Sequence, residues 1–176
     1  MAFRDGPVIR EARPDEMPAV GELRVAAYSA GGFLSSPDTG YALRLRTLGT
    51  DSRATIFVAV EPGGEIVGTI MLQCWPDAEE VVTAEGEAEI RALAVAPGAQ
   101  RGGVGRQLLT ALVDRAASLG VQNLLLCTLP EMRAAHRLYE QAGFRRLPER
   151  DWSPRPDIEL LVYALPLGKA AGVMVP

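Results

Sequence analysis

Six residues, Gln100-Arg101-Gly102-Gly103-Val104-Gly105, carry the densest chemical signal in the chain. Glycines at this density let the backbone turn with several N–H groups facing inward. A helix opening at Val104 adds its unpaired first-turn donors and the positive end of its dipole. Together they make an anion cradle. Each dipole contact contributes only about 0.3–1 kcal/mol when exposed, so firm binding needs several donors on one diphosphate, with Arg101 and Arg106 alongside. A nucleoside-triphosphate loop would need Lys and Ser/Thr after its last glycine, but Val104 and Gly105 follow Gly103. A dinucleotide fingerprint read from Gly103 and Gly105 would need glycine where Leu108 stands. Both readings fail.

Further candidates flank this loop. A strand period of two puts Glu89, Arg91, Leu93 and Val95 on one face, with Glu87 sharing it, so carboxylates line the strand leading into the loop. Glu89 can equally pair with Arg91 or with a neighbouring strand. His136, the only histidine, sits between Ala135 and Arg137 without Asp or Cys partners and reads as a surface side chain rather than a metal ligand or triad member. Cys127 ends an apolar strand; an acyl-cysteine is conceivable there, but a small buried hydrophobe is the weightier reading. Cys74 and Cys127 form no CxxC or Cys/His cluster, so neither a disulfide framework nor a metal site is expected. Trp75 with the acidic run Asp77 to Glu85 could attract a cationic amine, although such hairpin loops are usually just solvated.

These residues need elements to hold them. Val8 to Ala12 reads as a strand, and Arg13-Pro14-Asp15-Glu16 opens a helix to about Ala27 with acidic groups in its first turn. Tyr28 to Gly40, rich in Gly and Ser and containing Pro37, is expected as a loop, followed by a short helix over Tyr41 to Leu48. Ala54 to Val60 and Glu65 to Trp75 form an antiparallel hairpin around Glu61-Pro62-Gly63-Gly64, and Glu87 to Val95 adds a third strand ended by Pro97-Gly98. From Val104 the period changes: Val104, Leu108, Leu112 and Ala116, joined by Leu109 and Leu119, form one buried helical stripe closed by Gly120. Val121 to Thr128 is a nearly continuous apolar strand parallel to Glu87–Val95, reached by a right-handed crossover. A helix over Glu131 to Ala142 ends at Gly143, and Ile158 to Leu165 is the last strand. The expected class is α+β, with a mixed, mostly antiparallel central sheet flanked by helices.

The chain has 176 residues, 48% hydrophobic and 23% charged, the proportions of a cored globular protein. We expect a single domain over 1–167 and a flexible tail over 168–176. Lys and Arg number 18 and Asp and Glu 22, a net charge of −4, which gives no basic footprint for nucleic acid. No secretory signal is read in the charged first fifteen residues. The longest charge-free apolar stretch, Ile66 to Trp75, is about half of a membrane span. A cytoplasmic setting without nucleic-acid or membrane partners is the expectation.

Gln100, Gly103 and Gly105 fit the pattern Gln/Arg-x-x-Gly-x-Gly/Ala and so resemble the pyrophosphate loop of the GCN5-related N-acetyltransferases (GNAT). The flanks fit as well: Glu89-Ile90-Arg91-Ala92-Leu93-Ala94-Val95-Ala96-Pro97 precedes the loop, and Ala135-His136-Arg137-Leu138-Tyr139-Glu140-Gln141-Ala142-Gly143-Phe144 follows one strand later. By motif the resemblance covers about Ile66 to Phe144. It implies acetyl-CoA as cosubstrate, held by Gln100, Arg101, Gly102, Gly103, Val104, Gly105 and Arg106. Its pantetheine arm would lie along the backbone of Leu93, Ala94 and Val95, with Ala135 also at the cofactor; Ala135 and Leu138 would anchor the helix beneath Tyr139. Relatives often carry Asn where Met132 stands, so one polar contact is missing or supplied elsewhere.

Amide formation sets three chemical demands. An amine with a pKa near 10.4 is only about one part in two thousand neutral at pH 7, so exposing its lone pair costs about 4–5 kcal/mol and needs a base. The resemblance implies Glu89, in an Ala-Glu-Ile setting like that of the histone-acetylating branch; Glu87 or ordered water are the alternatives. The thioester oxygen needs an N–H donor, plausibly that of Val95. The leaving thiolate needs a proton, for which the resemblance implies Tyr139; a core tyrosine bonded to a carbonyl is the competing role. The expected activity is transfer of acetyl to a primary amine of a small molecule or peptide by direct attack. The alternative is a non-catalytic acyl-CoA sensor. A homodimer through the last strand or the tail is compatible with either.

Overall fold

Among the residues that the computed structural model describes, 6–51, 53–78 and 80–168, the chain forms eight strands and four α-helices. Residues 169–176 of the expected tail lie outside the described residues. In chain order the elements are β1 (Val8–Glu11), α1 (Met17–Ala30), α2 (Gly40–Thr47), β2 (Thr55–Val60), β3 (Ile66–Cys74) and β4 (Glu87–Val95). They continue with α3 (Val104–Ser118), β5 (Asn123–Thr128), α4 (Arg133–Gln141), β6 (Arg145–Arg146), β7 (Trp152–Arg155) and β8 (Ile158–Pro166). The strands are hydrogen-bonded in the order β1-β2-β3-β4-β5-β8-β6, with β7 on β8. β4 and β5 are parallel, whereas β1/β2, β5/β8, β6/β8 and β7/β8 are antiparallel. This is the mixed, mostly antiparallel sheet expected from the patterning.

Contacts divide the chain into two compact units, residues 1–71 with 92–112 and residues 72–91 with 113–176. In the first unit the entry to α1 is fixed by Glu16, whose carboxylate accepts the Arg13 amide at 2.8 Å and the Arg10 guanidinium at 2.7 and 2.8 Å. α1 buries Val20 with Ile56, Val58 and Met71, and Leu23 and Ala27 with Ala94 of β4. Gly21 allows α2 to approach: a Cβ there would lie 2.5 Å from the Arg46 carbonyl oxygen. Gly68 does the same for α3, since a Cβ would meet Leu108 and Val104 at 2.8 and 2.9 Å. The first turn of α3, and with it the loop before it, is thereby seated on β3.

In the second unit β5 pairs with β8 along its length, Asn123↔Pro166 to Thr128↔Leu161, and with β4 from Glu87↔Asn123 to Ile90↔Leu126. Val81, Leu125 and Val162 form the core there. α4 ends in a left-handed Gly143 (φ 96), with the Phe144 amide returning to the Tyr139 carbonyl at 3.0 Å.

The boundaries differ from expectation in four places. α1 runs through Tyr28 to Ala30, because no breaker intervenes before Gly31-Gly32. Val121 precedes β5 instead of opening it, its amide bonded to the Ala116 carbonyl at 3.1 Å. Leu119 is half exposed, because it lies past the end of α3 and off the buried stripe. β6 and β7 were not expected: each has four residues or fewer, and β7 contains Pro154.

Candidate active site

In the first unit, Ala92 breaks the course of β4 with a left-handed φ of 51°. That non-glycine residue is costly in this region, by about 1–2 kcal/mol, and it disrupts the strict alternation on which the shared face of Glu89, Arg91, Leu93 and Val95 was read. The parallel register of β4 on β5 likewise stops at Ile90. Beyond the break Ala94 is buried, while Leu93 and Val95 are half-buried. The Ala96 amide donates to the Val67 carbonyl at 2.8 Å, a short 3-10 turn covers Pro97–Ala99, and the Gln100 side-chain amide donates to the Val95 carbonyl at 3.2 Å. Gln100 thus braces the turn that follows.

That turn holds two left-handed residues, Arg101 (φ 66) and Gly103 (φ 81). Gly103 is needed for its backbone angle and not for space, since nothing lies within 4 Å of a Cβ there. Its carbonyl accepts the Gln107 amide at 3.0 Å, the first bond of α3. The amides of Val104, Gly105 and Arg106 thus belong to the first turn, which lacks intrahelical acceptors. Arg101, Gly102, Gly103 and Arg106 are exposed and Val104 is buried. The arrangement is a cluster of main-chain donors at a helix start, open to solvent and flanked by two guanidinium groups, and it can hold a diphosphate. A separate groove of about 740 Å³ in this unit lies at the start of α1 and β2, beside Arg13, Glu22 and Arg46, and contains none of the expected site residues.

In the second unit Glu89 sits on β4 opposite Leu125 and is fully buried. Its Oε2 accepts the Glu80 amide at 3.4 Å, and Arg91 Nε lies 3.9 Å from its Oε1. Burial first, then the neighbouring Glu80 carboxylate, push its pKa up to about 7 against the lowering effect of Arg91. Glu87 has the opposite fate. Burial works to raise its pKa, but Arg150, bound to both carboxylate oxygens at 2.8 and 3.0 Å, and the Thr83 amide at 2.9 Å lower it on balance. Of the two carboxylates, only Glu89 is poised to exchange a proton near neutrality.

Tyr139 is buried on α4, its ring 5.9 Å from Phe144 and 6.3 Å from Tyr163. Burial, and after it Cys127, raise its pKa, so the hydroxyl keeps its proton. Ala135, one turn earlier, is half-buried. His136 is not the surface residue expected: it is half-buried, with Nε2 3.0 Å from the Leu129 carbonyl oxygen and its ring 5.6 Å from Tyr163. Met132 precedes α4 and supplies no side-chain cap. Cys127 donates to Glu80 Oε2 at 3.6 Å, and burial drives its pKa far above that of an ordinary thiol, which disfavours a thiolate nucleophile. Glu80 itself was read only as part of a solvated acidic run. Its partners come from β4 and β5, and no spacing in the sequence marks them.

The acetyltransferase (GNAT) family model matches residues 18–144, and the chain belongs to that family. It is an acyltransferase. No curated protein matches the chain by sequence. Among solved structures it resembles a GNAT-family acetyltransferase from Staphylococcus aureus (18% identity, TM-score 0.71, covering 92% of this chain and 99% of that one). It also resembles the ribosomal-protein-S18-alanine N-acetyltransferase of Escherichia coli (24%, 0.70, 96% and 99%). A third is the yncA protein of Salmonella typhimurium with its cofactor acetyl-CoA (21%, 0.66, 98% and 98%). At these identities the likeness speaks to the fold. Among the described residues, no helix is long and apolar enough to cross a membrane.

Proposed function

We propose that the protein transfers acetyl from acetyl-CoA to a primary amine of a small molecule or peptide, by direct attack within a ternary complex. The observation that carries this reading is the turn at Arg101 and Gly103, whose two left-handed residues leave the first-turn amides of α3, which have no intrahelical acceptors, for a diphosphate. Acetyl-CoA, when bound, supplies an acyl thioester. The loop amides, with Arg101 and Arg106, grip its diphosphate, and the backbone of Leu93 to Val95 takes the pantetheine arm. The Val95 N–H donates to the carbonyl oxygen as charge develops there. Glu89 removes the proton that keeps the amine from attacking. Tyr139 protonates the departing thiolate and regains its proton from the nitrogen as the amide forms. The overall balance is ammonium plus thioester giving amide, free thiol and one proton released to solvent.

Release of free thiol from acetyl-CoA, followed across amino acids, a diamine and peptides with free N-termini, tests this reading. Amine-dependent release is expected. Tight acetyl-CoA binding in calorimetry with no release from any amine would instead fit a sensor.

A further inference from the structure

Glu89 is completely buried, and a base in that position must lose its proton after every turnover. Among the described residues, its polar neighbour with access to solvent is Glu80. Glu80, in the connection between β3 and β4, donates its amide to Glu89 Oε2 at 3.4 Å, and its carboxyl lies beside that of Glu89. One oxygen of each carboxyl and Cys127 Sγ all lie within 4.8 Å of one another. Unlike Glu89, the Glu80 side chain retains 21% exposure, and its other oxygen meets Arg91 at 2.5 Å. Among the described residues Glu89 Oε1 has no hydrogen-bond partner. The two oxygens of Glu89 are therefore inequivalent: Oε1 is available to accept a proton, and Oε2 is tied to the residue that reaches water.

We propose that Glu80 is a positioning and proton-relay residue for Glu89: the two carboxyls share one proton, and Glu80 passes it from the buried base to solvent. The proposal rests on Glu89 being the base. In each turnover the amine N–H bond breaks with its electron pair left on nitrogen, and the proton goes to Glu89 Oε1. The Glu89 carboxyl then turns to hand that same proton to the Glu80 carboxylate, and Glu80 releases it to water, so no oxidant or second reactant is required. Among the described residues, the charged and titratable groups facing Glu89 are Glu80 from the β3–β4 connection, Arg91 on its own strand and Cys127 from β5. Glu87, two residues away, is occupied by Arg150. Arg91 faces both carboxyls, and the Cys127 thiol donates to Glu80 Oε2.

Two measurements test the relay. Carbon-13 carboxyl NMR of the glutamate-labelled protein, without any ligand, follows Glu89 through a pH titration. In the wild type, Glu89 is expected to titrate near pH 7, and Glu80→Gln should lower that midpoint by about one pH unit, since the raising influence goes and Arg91 stays. A Glu89 midpoint in the ordinary carboxylate range, or one that Glu80→Gln leaves unmoved, would overturn the shared proton. With the fastest amine of the panel, Glu80→Gln should lower kcat about tenfold or more with KM for acetyl-CoA unchanged, and shift the acid limb of the rate profile downward; Glu80→Asp should restore part of the rate. An unchanged kcat and acid limb in Glu80→Gln would overturn the relay. If Glu80→Gln does not fold, the wild-type titration and Glu80→Asp decide. Full activity of Glu89→Gln would sink the base assignment itself, while the NMR result would still stand or fall by itself.

Discussion

Glu87 and Glu89 stand two residues apart on β4, and their environments drive them in opposite directions. Arg150 holds Glu87 ionised, whereas burial beside Glu80 holds Glu89 near pH 7. Geometry thus separates two carboxylates that the sequence left as alternatives. Replacing Glu89 with Gln is expected to lower kcat/KM by about 10²–10⁴-fold and to abolish the acid limb near pH 7. Glu87→Gln should keep that limb and lose thermal stability, because it strips a partner from Arg150. A pH–rate series of both variants checks the pair; an acid limb that follows Glu87 would reverse the assignment. Tyr139→Phe retains the ring packed on Phe144 and Tyr163 and removes only the hydroxyl. It should leave the melting temperature and KM for acetyl-CoA in place while kcat falls about 10²-fold, and an unaffected kcat would reduce Tyr139 to a core residue.

At the scale of elements, the loop between β4 and α3 depends on backbone angles more than on side chains. Gly103→Val places a β-branched residue at a φ of 81° where no neighbour blocks it, so the loss comes from strain of about 1–2 kcal/mol. Steady-state kinetics should show KM for acetyl-CoA raised about tenfold with a smaller change in kcat; an unchanged KM would mean that the cradle does not grip the cosubstrate. This loop was legible in part, since Gly103 takes the left-handed angle its residue type allows, whereas Arg101 takes one without being glycine. The strand and helix periods were legible, because hydrophobic alternation and the Val104-Leu108-Leu112-Ala116 stripe are local patterns. What could not be read was set by distant partners. Ala92 adopts its left-handed turn without being glycine, so residue type gives no warning of the break in β4. Glu80 meets Arg91 from β4 and Cys127 from β5, 11 and 47 positions away in the chain. β6 and β7 exist because β8 offers them an edge. His136 lies inward because Tyr163 and the Leu129 carbonyl receive it.

For the whole molecule, the carboxylate proposed as the base should work against folding. Glu16, gripped by Arg10 and the Arg13 amide, has its pKa lowered from 4.5 to about 2, so its contribution is complete above about pH 4.5 and is lost as pH falls toward 2. Glu89 has the opposite sign. Its folded pKa, about 7, lies above the ordinary 4.5, so between those values the folded chain binds more protons than the unfolded one, and stability falls as pH rises through that window. The two effects together place maximum stability near about pH 5, below the pH at which an ionised Glu89 is available as a base. Glu89→Gln removes the second slope while keeping the shape of the side chain. Thermal melts from pH 4 to 9 should show wild type losing stability above pH 5 and the variant holding level. The gain at pH 8 should be about 2–4 °C for each kcal/mol recovered. If both proteins decline in parallel, Glu89 does not carry the charge-burial cost in the folded state, and the base would have to be sought elsewhere.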